Sequence, residues 1–112
     1  MANRIKTEVL DIHGNKYTSD VYVEHDSMVN SMILADLKVP VMLKFYKSQA
    51  DKTDKYAPFT AINNATDRLP LAMFVKKITE QEAAQLNAIM IQQYVTEYLK
   101  SIYGDANVET VQ

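Results

Sequence analysis

Four adjacent residues carry the groups that could do acid–base or nucleophilic chemistry. An imidazole, two carboxylates and a hydroxyl follow one another in Glu24, His25, Asp26 and Ser27. A general base needs an orienting group and a reachable nucleophile, yet neighbouring residues of a strand point to opposite faces of a sheet. Because no Gly-x-Ser-x-Gly turn exposes the hydroxyl of Ser27, we predict no catalytic residue and no enzymatic activity.

The composition argues against most cofactor and metal sites. The 112-residue chain has no cysteine and only two glycines, Gly14 and Gly104, which lie far apart in the sequence. Thiolate zinc sites and iron–sulfur clusters need cysteine, and phosphate-binding loops need clustered glycines. We therefore expect no cofactor and no metal, and a function in binding rather than in catalysis.

A basic central segment is the second feature with chemical potential. Residues 38–77 carry eight basic and three acidic side chains, whereas residues 1–37 and 78–112 together carry four basic and eleven acidic ones. Lysines interleaved with aromatic rings are typical of proteins that hold single-stranded nucleic acid, although the pI of about 5.6 lies below the usual range of such domains. The opposite interpretation is that the acidic ends pack beside this segment and neutralise it.

The basic segment 44–77 predicts an alternative function, the binding of a small anion, a nucleotide or single-stranded nucleic acid. Arg68 lies among amide side chains, which together suit a phosphate or a carboxylate, although the same residue types are typical of turns. The candidate ligand-binding residues are Lys44, Tyr46, Lys47, Asn63, Asn64, Arg68 and Lys76.

The elements that must position these residues begin with a hairpin. Residues 5–12 and 16–25 are rich in β-branched and aromatic types, and His13-Gly14-Asn15 between them fits a tight hairpin loop that needs positive φ angles. The second segment alternates apolar and polar residues. One face of the sheet is therefore predicted to be wet, which favours an antiparallel sheet.

A short helix is predicted after the hairpin. Asp26 or Ser27 can cap its first turn, and apolar residues recur at helical spacing over residues 28–37. The residue before Pro40 must leave the helical region, so the helix is predicted to end near Leu37 or Lys38.

Two further strands are predicted at 39–47 and 71–78, with Pro40 confined to a strand end or a sheet edge. The apolar run 71–78 is short enough to fit a helix as an alternative. The resulting order is β-β-α-β-β-α. We predict an α+β fold in which a small antiparallel sheet, made of the N-terminal hairpin and two further strands, packs against a short helix and a long C-terminal helix.

The long helix is the clearest element of the pattern. Thr79 and Glu82 form a capping box, and Gly104 can end the helix. Residues 80–103 would form a rod of roughly 36 Å, whereas a domain of this size has a radius of gyration of about 13 Å. Because the helix is apolar over more than half of its circumference, we predict that part of it faces another chain. The alternative is that the helix kinks or that the single domain wraps around it.

The predicted interface on the 79–103 helix consists of residues that step by three or four positions: Leu86, Met90, Tyr94, Tyr98 and Ile102. We expect a non-enzymatic binding or assembly module that forms a homo-oligomer or binds another protein. Short, cofactor-free, oligomeric chains are common among accessory proteins of viruses and mobile elements, and this base rate alone suggests that class.

The chain is predicted to form one α+β domain over residues 1–104, followed by a frayed tail, 105–112. The first residues lack the apolar core of a secretory signal, and the stretches without charge are too short to span a bilayer. We therefore expect a cytoplasmic protein with no membrane partner.

Overall fold

The computed structural model describes residues 2–18, 20–27, 35–48, 50, 58–62 and 69–111. The strands are β1 (Ala2–Ile5), β2 (Val9–Leu10), β3 (Lys16–Tyr17), β4 (Val21–Ser27), β5 (Lys38–Tyr46), β6 (Met73–Lys77) and β7 (Val108–Val111). The helices are α1 (Glu80–Gln85) and α2 (Ala88–Tyr103), and a 3₁₀ turn follows at Asp105–Asn107.

The main sheet has five antiparallel strands in the order β6-β5-β4-β1-β7. Its inner face carries fully buried side chains such as Val23, Val41 and Phe45, which form one core with Val95 and Leu99 of α2. The predicted antiparallel α+β fold is therefore confirmed, but the sheet has five strands rather than four.

The N-terminal hairpin is only partly as predicted. The loop lies where it was expected, but β2 and β3 form a separate two-stranded ribbon, while β1 pairs with β4 in the main sheet. Of the loop residues, Gly14 has a positive φ of 84° and Asn15 does not. The loop is instead organised by Asp11, whose carboxylate accepts hydrogen bonds from the backbone amides of His13 and Asn15.

The carboxylate of Asp11 also accepts hydrogen bonds from the Asn15 amide at 3.0 Å and from the Tyr17 hydroxyl at 2.9 Å. Burial of the carboxylate raises its pKa, but these hydrogen bonds outweigh burial and lower the pKa from 3.8 to about 2. Asp11 is thus a structural anchor of the ribbon.

The predicted strand 16–25 is divided in the structure. Asp20 adopts a φ of 56°, which separates β3 from β4. Strand β4 then continues through Asp26 and Ser27, which pair with Met42 and Val41 of β5. Whether Asp26 or Ser27 also caps a helix stays a prediction, because an N-cap residue can itself have extended backbone angles. Residues 28–34, which hold most of the predicted short helix, lie outside the described residues.

Pro40 lies in β5, an inner strand of the sheet. The described pairing of β4 with β5 ends at Ser27 and Val41, so Pro40 lies beyond it and pairs only with Val75 of β6 among the described residues. The missing amide hydrogen of Pro40 therefore interrupts none of the ladder hydrogen bonds between the described parts of β4 and β5.

The predicted single helix 79–103 is wrong, since the chain leaves the helical conformation at Leu86 and Asn87. Leu86 has ψ 130° and Asn87 has ψ 173°. The Asn87 side chain accepts a hydrogen bond from the amide of Met90 and so caps a second helix. Asn is unfavourable inside a helix and among the best residues at its start.

A hydrogen bond between α1 and α2 can form only because the helix is interrupted at Leu86 and Asn87. The Tyr94 hydroxyl donates to Glu82 Oε2 at 2.6 Å. In one straight helix, residues 82 and 94 would be separated by about 18 Å along the axis, which is too far for a direct hydrogen bond. The capping box of Thr79 and Glu82 is confirmed, but it begins a helix of six residues.

The predicted frayed tail is also wrong. Val108–Val111 forms β7, which pairs with β1 over its whole length, and Val108 is part of the core. The physical reason is that β1 offers an unpaired edge to an alternating, β-branched segment. None of the helices in the described part of the chain combines the length and the apolar character that a bilayer crossing requires.

Candidate functional site

The outer face of the sheet carries an exposed apolar surface at its β5–β6 corner. Met42 of β5 is 42% exposed, and Met73 and Val75 of β6 are 54% and 49% exposed. Met42 pairs directly with Met73, and Pro40 pairs with Val75, so these side chains lie on one face. We call Met42, Met73 and Val75 the β6 patch.

The β6 patch borders an open edge of the sheet. Among the described residues β6 pairs with β5 on one side and with no strand on the other. Edge strands usually carry charges, proline or bulges, which prevent pairing with a further chain. On the outer face of β6, Lys77 is the single charge beside two large apolar side chains.

A groove of about 270 Å³ runs along the inner side of the same strand, between β6 and α2. Its lining residues are Phe74, Val75, Lys76, Tyr94, Glu97 and Tyr98. The Lys76 ammonium lies 5.2 Å from the centre of the Tyr94 ring, which is cation–π distance. Burial, followed by the hydrogen bond to Glu82, raises the pKa of Tyr94 to about 12.

The predicted interface of the long helix is largely turned toward the protein's own core. Tyr94 is buried, whereas the other four residues, Leu86, Met90, Tyr98 and Ile102, are half-buried and pack against the core. Tyr98 stacks on Phe74 of β6 with ring centres 4.2 Å apart. The premise of that interface, an uninterrupted rod, is wrong, so association through this surface stays a prediction that has lost its geometric basis.

The candidate ligand-binding residues do not form one site in the described part of the chain. Lys44 lies on the outer face and forms an ion pair of 3.1 Å with Asp26, which raises the pKa of Lys44. Lys76 lies on the inner face, where its register partner is Val39.

Of the remaining members of that set, Tyr46 lies on the same face of β5 as Lys44. Tyr46 lies 6.5 Å from Tyr22, ring centre to ring centre, and Lys47 is exposed just after β5. Asn63, Asn64 and Arg68 lie outside the described residues. Lys44 and Lys76, which lie on opposite faces of the sheet, therefore do not converge on one ligand.

The imidazole of His25 belongs to a buried polar network rather than to a catalytic group. His25 Nε2 lies 2.8 Å from Gln92 Oε1, and the Gln92 amide donates to Asn3 Oδ1 at 2.8 Å. The Asn3 amide in turn donates to Thr96 Oγ1 at 2.9 Å. Asp26 is on the opposite face from His25, as the alternation predicts, so the two side chains do not form an acid–base pair.

This network lies beneath a cleft of about 490 Å³ between α2 and β7, lined by Ile89, Gln92, Gln93, Thr96, Glu97 and Thr110. Asn3 and Gln92 are almost fully buried, and their hydrogen bonds join α2 to β1. His25 Nδ1 is buried without a hydrogen-bond partner among the described residues. Because the side chains of Asn3, Gln92 and Thr96 are bonded to one another, we interpret the network as a structural connection between helix and sheet.

The sequence-based reasoning missed the β6 patch. Its signal was present, since alternation over 71–78 places Met73, Val75 and Lys77 on one face and Phe74 and Lys76 on the other. The comparison with known proteins adds no assignment: no family model, no curated protein and no solved structure matches this chain significantly.

Proposed function

We propose that the protein is a non-enzymatic, self-associating binding or assembly module, and that the β6 patch with its open strand edge is the associating surface. The single observation that carries the proposal is the coincidence of exposed Met73 and Val75 with a strand edge that no other described strand pairs with. We propose the sheet rather than the helical stripe as the interface, because the stripe residues pack at least in part against the core.

Two physical arguments support association over the binding of a small ligand. Large apolar side chains that cluster on an exposed face favour contact with another protein surface. An open strand edge offers backbone donors and acceptors that a further strand can satisfy in full. Both features occur on the same strand, β6.

The proposed setting is the cytoplasm, and the proposed class is the small accessory or assembly proteins, those of viruses and mobile elements included. Length and the lack of cysteine and clustered glycine support this class. The alternative, binding of a small anion, nucleotide or single-stranded nucleic acid through 44–77, has weaker support, since Lys44 is neutralised by Asp26 and faces away from Lys76.

Light scattering coupled to size exclusion tests the proposal. At high micromolar concentration we expect a mass of about twice the 12.8 kDa of one chain or more. Val75→Glu should return the protein to the mass of one chain, because it places a carboxylate in the β6 patch without removing a core side chain. Ile89→Glu is the matched control, since Ile89 is 62% exposed and lies on α2.

A wild-type protein that remains a single chain at every concentration would refute self-association. Equal loss of association in Val75→Glu and Ile89→Glu would instead refute the β6 patch as its surface. Retention on single-stranded DNA in low salt that weakens with added salt and is lost in Lys44→Glu would favour the alternative function.

A further inference from the structure

The backbone of β6 has a definite polarity, which follows from two hydrogen bonds. The Leu43 amide donates to the Ala72 carbonyl at 2.9 Å, and the Ile78 amide donates to the Leu37 carbonyl at 3.0 Å. Hydrogen-bonded pairs alternate along an antiparallel ladder, so Phe74 and Lys76 also direct their backbone groups toward β5. The backbone groups of Met73, Val75 and Lys77 therefore point to the open edge.

We infer that two copies of the chain join their β6 strands in antiparallel orientation about a twofold axis at Val75, an inference that rests on the proposed self-association. In this register Val75 pairs with Val75 of the second copy, and Met73 pairs with its Lys77. Every outward-pointing amide and carbonyl of β6 then has a partner, and the two sheets become one continuous sheet.

The neighbouring registers satisfy fewer groups or oppose like charges. An axis at Phe74 pairs Met73 with Val75 but sets Lys77 opposite Leu71, which lies outside the strand. An axis at Lys76 brings the two Lys76 side chains directly opposite each other, and like charges in that position are destabilising. The axis at Val75 avoids both costs.

Charge complementarity on the inner face supports the same register. Lys76 of the second copy faces Phe74 at a non-hydrogen-bonded position, where opposing side chains are closest, about 4.5 Å between Cα atoms. Glu97 lines the groove on this side of β6 and takes part in none of the ion pairs among the described residues. The ammonium of one copy thus meets the carboxylate of the other, at both ends of the twofold interface.

The proposed interface is small, which limits the affinity of the dimer. One strand pair with the adjoining β6 patch lies at the low end of the areas that specific protein interfaces bury. We therefore expect a dimer that dissociates in the micromolar range and whose mass depends on concentration.

Cysteine cross-linking tests the register directly, because the chain has no cysteine of its own. In the Val75→Cys variant the two sulfurs meet across the axis, where the Cα separation of a paired position, about 5.5 Å, is within disulfide range. Met73→Cys is the matched control on the same face, since its copies are separated by roughly 13 Å along the strand.

Under mild oxidation Val75→Cys should form covalent dimers about ten-fold faster than Met73→Cys, because thiols held within a dimer react at a high effective concentration. The double variant Met73→Cys with Lys77→Cys should cross-link as readily as Val75→Cys. Light scattering on the wild type separates the two levels of failure. A wild-type dimer in which Val75→Cys and Met73→Cys cross-link at equal rates would overturn this register but not self-association, whereas a wild-type monomer would overturn both.

Discussion

The two edges of the main sheet differ in how they are protected. At the β7 edge, Glu109 forms ion pairs with Arg4 at 2.7 Å and Lys6 at 3.2 Å. These charges lie on the outer face next to the strand's exposed backbone, and the Asn3 network fixes the inner side. At the β6 edge, the outer face presents Met73 and Val75, with Lys77 as its single charge.

The difference indicates which edge is protected against pairing with a further chain. Charged side chains on an edge strand oppose pairing with a further chain, because pairing would remove them from water. The β7 edge carries this protection, whereas the β6 edge combines apolar side chains with unpaired backbone groups. We therefore propose that the β7 side of the molecule contributes to its stability and that the β6 side mediates association.

Disrupting the hydrogen-bond network of Asn3, on the β7 side of the sheet, should have the largest effect on the free energy of unfolding. Asn3→Ala removes a fully buried amide and leaves the Gln92 amide and the Thr96 hydroxyl with fewer partners. We expect the free energy of unfolding, measured by urea titration, to fall by about 2–3 kcal/mol. Thr110→Ala, an exposed change on the same side, should cost about 0.5 kcal/mol or less, and equal losses in the two variants would contradict the network's role.

Reversing the charge of Lys76 or Glu97 tests the proposed association through β6. Lys76→Glu and Glu97→Lys should each weaken the homodimer about ten-fold, since each variant creates two like-charged contacts that cost up to about 1 kcal/mol apiece. Mixing the two variants should restore wild-type affinity, measured by sedimentation, because each copy then meets the opposite charge. No recovery on mixing would show that Lys76 and Glu97 do not meet across an interface.

The break between α1 and α2 holds α1 beside Lys76 and Tyr94, on the β6 side. Asn87→Ala removes the cap of α2 and should lower the free energy of unfolding by about 1 kcal/mol. Gln85→Ala is the control, because Gln85 is exposed within α1 and has no capping role. A more stable Asn87→Ala protein with a higher helix content by circular dichroism would contradict the break.

Lowering the pH should slightly reduce the stability that the ion pairs of Glu109 contribute on the β7 side. Hydrogen bonds from Arg4 and Lys6 hold the pKa of Glu109 below its ordinary value of 4.5. A carboxylate with a lowered pKa contributes stability above its unfolded-state pKa, and this stability is lost as the pH falls through the folded-state pKa. The difference in Tm between wild type and Glu109→Gln should therefore be present at neutral pH and vanish as the pH falls below 4.5, whereas a constant difference would exclude the ion pairs as its cause.

The sequence predicts the strands well because alternation is a local property. Val39, Val41, Leu43 and Phe45 are buried as their spacing requires, and 71–78 contains β6. The helix break was also readable, since Asn87 is a strong cap signal inside an apolar pattern. The pairing of β7 with β1 was not readable, because it joins residues more than a hundred positions apart.

The candidate site could be predicted only in part for the same reason. Alternation places Met73 and Val75 on one face, but whether that strand lies at an edge depends on the order of strands, which no local pattern encodes. The helical stripe is ambiguous because one amphipathic pattern fits both a buried face and an interface. Only the course of the chain around Leu86 and Asn87 distinguishes the two.

Amide hydrogen exchange at two protein concentrations is the most direct test of association through β6. The amides of Met73, Val75 and Lys77 should exchange slowly at high concentration and faster on dilution, because the second copy protects them. Thr110 is the control, since the hydrogen bond from the Lys6 amide to the Asn107 carbonyl sets a register in which the Thr110 amide points to the open β7 edge. Its exchange should not depend on concentration. Exchange at Val75 that is equally fast at both concentrations would contradict the account.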